Sequence, residues 1–201
     1  MNILNNYIGL FGCLLLLIAT PLVFFRQPRH SRRLVSIIIV VMMIVAAIPV
    51  YDLPVVAYIR AVVTDLSITS MLLLTFFIAT AYTGKQYICN QDKNQLSILI
   101  LLAALLVYPF GLGLGMWDSY ALGFGNIWLY SALLIISFYF FMRQRMLLMY
   151  IILAGCAAYL FSLLASQNLW DYLIDPLLVI YTVTTVIKQR LHSHNHTAST
   201  G

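Results

Sequence analysis

Residues 51–67 read Tyr51-Asp52-Leu53-Pro54-Val55-Val56-Ala57-Tyr58-Ile59-Arg60-Ala61-Val62-Val63-Thr64-Asp65-Leu66-Ser67. One cation, Arg60, sits here between two acids, Asp52 and Asp65, and long apolar runs lie on both sides. Pro54 suits the first turn of a helix, because its fixed φ and missing N–H cost nothing there. Val55, Val56, Ile59, Val62 and Val63 then form an apolar stripe with Arg60 outside it. The pattern predicts a short helix over Pro54–Val63 lying on a membrane surface, with Asp65 capping the helix that follows.

Composition supports a membrane setting. Of 201 residues, 63% are apolar and 8% charged, and every acid is Asp. The mean hydropathy is +0.96. So few charges cannot cover the surface of a soluble domain. The net charge of +5 does not point to nucleic acid, because the cations fall in short loops between apolar runs. Cys13, Cys89 and Cys156 lie far apart, with neither a disulfide framework nor metal-ligand spacing.

Seven apolar stretches follow one another, roughly 7–25, 34–50, 66–82, 96–116, 127–142, 146–166 and 169–187. A helix needs about 20 residues to cross a hydrocarbon core of about 30 Å. The fold class expected is therefore all-α, a polytopic membrane protein of seven transmembrane helices. The first stretch reads as a span and not as a cleaved signal, since Arg26 to Arg33 follow it and no cation precedes it.

The loops set the orientation. Ten of the eleven cations fall in alternate loops: Arg26, Arg29, Arg32, Arg33, Lys85, Lys93, Arg143, Arg145, Lys188 and Arg190. Arg60 is the exception. The positive-inside rule makes the basic side cytoplasmic and places the N-terminus outside. Asp52, Asp65, Asp118, Asp171 and Asp175 then lie outside with Trp117, Trp128 and Trp170, as an interfacial aromatic belt would. Residues 1–191 are expected to form one helical domain. Residues 192–201, with His192, His194 and His196, are expected to be a disordered cytoplasmic tail.

Aromatic–Asp pairs close three of the spans: Tyr51-Asp52, Trp117-Asp118 and Trp170-Asp171. Asp65, Asp175 and Asn126 precede the next ones, where a short polar side chain caps a helix and suits its positive end. The Gly-rich loop 111–125 lacks the strand and Lys of a phosphate loop. Ala154, Ala158, Ser162 and Ser166 form a small-residue ridge expected to let the sixth helix pack closely.

The seventh stretch is the informative one. About 20 residues back from Lys188 reaches Asn168, so Asp171 and Asp175 fall inside it. A carboxylate near mid-membrane costs on the order of 3 kcal/mol, less near the edge. Pro176 disfavours helical geometry at Asp175, which predicts a helix that breaks and starts again. Two readings follow for Asp175: a buried carboxylate paired with Arg60, or a plain N-cap facing water.

The candidate site is thus an outer-face cluster of Asp52, Arg60, Asp65, Asp118, Asp171 and Asp175. No hydrolase, protease or metal motif is present, and no metal or cofactor is called for. The function favoured is a non-enzymatic accessory or scaffold subunit of an envelope enzyme or transport complex, in a bacterial inner membrane. Its partners would be the bilayer and another membrane protein, not nucleic acid. One alternative binds or modifies lipid headgroups through the outer cluster; a second is a small transporter.

Overall fold

A computed structural model describes residues 3–24, 32–114 and 118–198, the last ten by backbone alone. The fold is all-α. Helices α1 (Ile3–Phe24) and α2 (Arg32–Ala47) lead into a two-residue hairpin, β1 (Pro49–Val50) and β2 (Leu53–Pro54). Then come α3 (Val55–Val63), α4 (Ile68–Thr83), α5 (Asn90–Gly111), a 3-10 turn at Tyr120–Gly123, α6 (Ile127–Met142), α7 (Met146–Leu160), α8 (Leu169–Leu173) and α9 (Pro176–Ala198).

Two helices, α1 and α5, are long and apolar enough to cross a membrane. α4, α6 and α7 are shorter, at 16, 16 and 15 residues. Their ends are fixed by the backbone. α4 stops at Gly84, whose φ of 72° is left-handed, so it ends with the glycine cap a helix prefers. The turn after α6 carries Gln144 at φ 56°.

The main core gathers around Leu66, Leu148, Ile151, Leu169, Trp170 and Tyr172, where α4, α7 and α8 pack together. A smaller cluster of Ile18, Leu22 and Val35 joins α1 to α2. α3 lies against α1 and α2 with no fully buried residue, as a helix resting on a bundle would.

Several boundaries differ from expectation for local reasons. α2 ends at Ala47, not Val50, because Pro49 enters the hairpin and Tyr51 turns at φ 50°. α5 begins at Asn90, ahead of the apolar run, because Cys89 caps it by accepting from Asp92 N at 3.3 Å. α7 stops at Leu160, since Ser162 adopts φ 50°. The expected ridge is therefore cut in half: Ser162 and Ser166 leave the helix. Close approach is made instead by Gly155, where a Cβ would meet Leu173 Cδ2 at 2.7 Å. The polar tail expected from residue 192 continues α9 to Ala198, as no Gly or Pro interrupts it after Pro176. Arg26, Arg29, His30 and Trp117 lie outside the described residues.

Gly123 offers a test of this packing. A Cβ there would stand 1.7 Å from Oδ1 of Asn168, which is fully buried. Gly123→Ala should therefore lower stability by roughly 1–3 kcal/mol, as overpacking does, read by thermal unfolding of the purified chain. An unchanged melting temperature would mean that the 3-10 turn shifts freely.

Candidate functional site

Asp65, Asp171 and Asp175 stand where the starts of α4, α8 and α9 and the 3-10 turn come together, the acidic end of the bundle.

Asp175 is the most deeply placed acid, at 6% exposure. It sits between α8 and α9, where the chain leaves helical geometry at Ile174 with φ −137° and ψ 150°. Its Oδ1 accepts from Leu178 N at 2.8 Å, inside the first turn of α9. Its Oδ2 accepts from Ser67 N at 3.0 Å, from Ser67 Oγ at 2.7 Å and from Ser70 Oγ. Ser67 is the N-cap of α4 and also accepts from Ser70 N at 3.2 Å. One carboxylate thus holds two helix N-termini, where orphan N–H groups and the positive dipole ends both favour an anion. The expected break at Asp175 is present. Of the two readings, the N-cap holds, but the cap is buried against serines and does not face water.

Arg60 does not reach Asp175 or Asp171. It donates to Asp65 from Nε at 2.6 Å and Nη2 at 3.2 Å, a two-pronged pair with 15% and 17% of the side chains exposed. Its Nη1 turns to Asn6, meeting the backbone oxygen at 3.2 Å and also the side-chain oxygen. The pairing with Asp175 is corrected on the same grounds as the capping by Asp65. Asp65 and Arg60 are five residues apart at the end of α3, so they find each other first. Ser67 takes over the cap. Gly9 makes room for the pair: a Cβ there would meet Asp65 Oδ1 at 2.3 Å and Arg60 Nε at 2.4 Å.

Asp171 anchors a third group. Its Oδ2 accepts from Tyr120 Oη at 2.9 Å and from Ser166 Oγ. Around it, Asn168 Nδ2 donates to Tyr120 O at 2.9 Å and Trp170 Nε1 to Ser119 O at 3.1 Å. The fully buried Tyr172 Oη accepts from Leu164 N at 3.1 Å and lies 3.0 Å from Ser166 O. These contacts lash the loop after α7 to the turn after α5. Burial, then the hydrogen bond to Asp171, push the Tyr120 phenol up to about 12.

The remaining acids stay peripheral. Asp118 caps the 3-10 turn, accepting from Tyr120 N at 2.9 Å and Ala121 N at 3.2 Å. Asp52 is exposed in the hairpin turn and joins none of these groups. Asn126 caps α6 through Trp128 N at 2.9 Å, as its position suggested. The six candidates therefore divide into three braced groups, which take up Arg60, Asp65, Asp171 and Asp175, and two peripheral acids, Asp118 and Asp52.

Ser67, Ser70, Ser166, Asn6, Tyr120 and Asn168 complete these groups, and sequence reading missed them. Ser67-x-x-Ser70, just ahead of an apolar run, and Asn168, ahead of α8, carried a local signal, since Ser and Asn there cap helices. No set of three or more His, Cys or Asp side chains among the described residues is placed to hold a metal. Chemically the site is a set of acceptors already filled by donors. It ties helix ends and loops together.

No protein-family model, curated protein or solved structure matches this chain.

Two outcomes are expected. Asp175→Asn keeps one acceptor oxygen for backbone donors on two helices, so it should cost about 3 kcal/mol. Ser67→Ala alone should cost about 1 kcal/mol, and the double variant less than the sum, because both act on one junction. Thermal melting of the three variants checks this, and strict additivity would refute the shared junction. For Tyr120, the raised phenol means the neutral form is favoured in the fold. Its contribution is complete below the unfolded value of about 10 and is lost as pH rises through about 12. Tyr120→Phe should cost roughly 1.5 kcal/mol at neutral pH, and an alkaline absorbance titration should lack one late-ionising phenol.

Proposed function

We propose that the chain is a multi-pass integral membrane protein with seven spans, N-terminus outside and C-terminus cytoplasmic, in a bacterial inner membrane. Its work there is that of a non-enzymatic accessory or scaffold subunit for an envelope enzyme or transport complex. The membrane reading draws support from surface chemistry. Trp128, Leu134 and Phe138 on α6 are 75%, 70% and 61% exposed, and Ile37 and Ile44 on α2 are each 61% exposed. Contiguous apolar faces of this kind suit hydrocarbon and not water. α4, α6 and α7 are apolar on every side, as spans are.

Length can be reconciled with seven crossings. Sixteen residues rise only about 24 Å, but the caps and turns flanking α4 and α6 add polar ends at interface depth. α8 and α9 together serve as the seventh span, broken at Asp175 where the freed backbone is buried in protein.

A single observation carries the accessory role. The buried Asp175 and the half-buried Asp65 and Asp171 are each consumed in contacts that tie helix ends and loops together. The outer face is thus a rigid platform, which suits a protein that positions a partner. Headgroup chemistry would have only Asp52 and Asp118 to call on, at the rim.

Sidedness has a direct test. In intact cells, the exposed Cys89 should resist an impermeant maleimide. In a Cys89→Ser background, Leu114→Cys should react. The reverse labelling would overturn the topology. Cross-linking in native membranes at ordinary expression should then yield one polytopic partner in fixed ratio, and recovery of the chain solely as monomers or self-oligomers would overturn the accessory role.

A further inference from the structure

Below the Asp175 brace, α4 and α9 part. A groove of about 380 Å³ opens between α1, α4, α5 and α9, in the size range of small-ligand sites. Its head is closed by Ser70 and Leu178, both tied to Asp175. Its walls are apolar, with Leu73, Phe77, Ile100 and Tyr181 among them. Phe77 and Tyr181 are 38% and 65% exposed, so the groove opens sideways, toward hydrocarbon in the membrane reading. From Ser70 to Thr80, both on its wall, α4 rises about 15 Å.

The far end is different in kind. Gln86, Lys93 and Ser97 line it. Lys93 is exposed and forms no ion pair with any described residue. The one acid nearby, Asp92, is taken by Arg145 at 3.0 Å. An apolar slot with an uncompensated cation at one mouth is complementary to an amphiphile with one anionic end.

We propose that this groove binds one acyl chain of an anionic phospholipid from the cytoplasmic leaflet, with the phosphate at Lys93. Each buried methylene favours binding by hydrocarbon contact, and a basic residue near the headgroup adds selectivity for negative charge. The site is distinct from the braced acidic end. It rests on the membrane reading, and sidedness enters only in naming the leaflet.

Native mass spectrometry of the purified full chain in detergent tests it, with palmitoyl-oleoyl phosphatidylglycerol or phosphatidylcholine titrated in. Phosphatidylglycerol should be retained about fivefold more than phosphatidylcholine, the worth of one interfacial lysine. Lys93→Gln should erase the preference, while Lys85→Gln, outside the groove, should keep it. Ser97→Phe, which puts a ring into the slot, should cut retention of both lipids at least tenfold. Thr185→Phe on the facing wall should do the same, so a fold defect in either variant is separable by its melting temperature. Equal retention of the two lipids, or retention unchanged by both Phe variants, would overturn the proposal. The assay has no sides, so it fails or succeeds independently of the maleimide labelling.

Discussion

The structure depends on how Asp175 joins α4 to α9. Each helix begins with backbone N–H groups that have no partner within the helix. In an apolar surrounding such groups are costly, because no water replaces the missing bonds. Asp175 answers both with one side chain: Oδ1 serves Leu178 N, and Oδ2 serves Ser67 N and the hydroxyls of Ser67 and Ser70. The carboxylate is in turn compensated by four donors, so neither helix end nor acid is left bare. A lone cap would satisfy one helix and leave the other to be solved separately.

The same logic repeats across the acidic end with different chemistry. Arg60 and Asp65 neutralise each other at the junction of α3 and α4, and Gly9 on α1 lets the pair lie against the bundle. Asp171 collects Tyr120 and Ser166 from two loops. Placing charges where loops meet spares the helix middles, where an unpaired charge would be most expensive. It also explains why α4 and α9 are free to separate further along. The brace holds them at one end, and the groove occupies the space the brace does not control.

Asp65 shows why a local rule can name the right position and the wrong partner. It stands where an N-cap belongs, two residues before Ser67. The cap went to Ser67 because a guanidinium five residues upstream offers Asp65 two charge-assisted bonds, which outweigh one bond to an N–H. Asn126 has no such competitor and caps as expected.

By itself the sequence determined the all-α class, the order of the apolar segments, the short helix before Thr64 and the break ahead of Pro176. Those follow from composition, residue period and proline's fixed φ, all of which act within a few residues. It also marked the acids that matter by their position at helix ends. Only the tertiary structure decided which donors those acids meet. Ser67 and Ser70 lie 108 and 105 positions from Asp175, and Tyr120 lies 51 from Asp171. No local pattern encodes such separations. They are set by which helices pack together, and packing depends on the fit of whole faces, Gly9 and Gly155 included, more than on any one residue's preference.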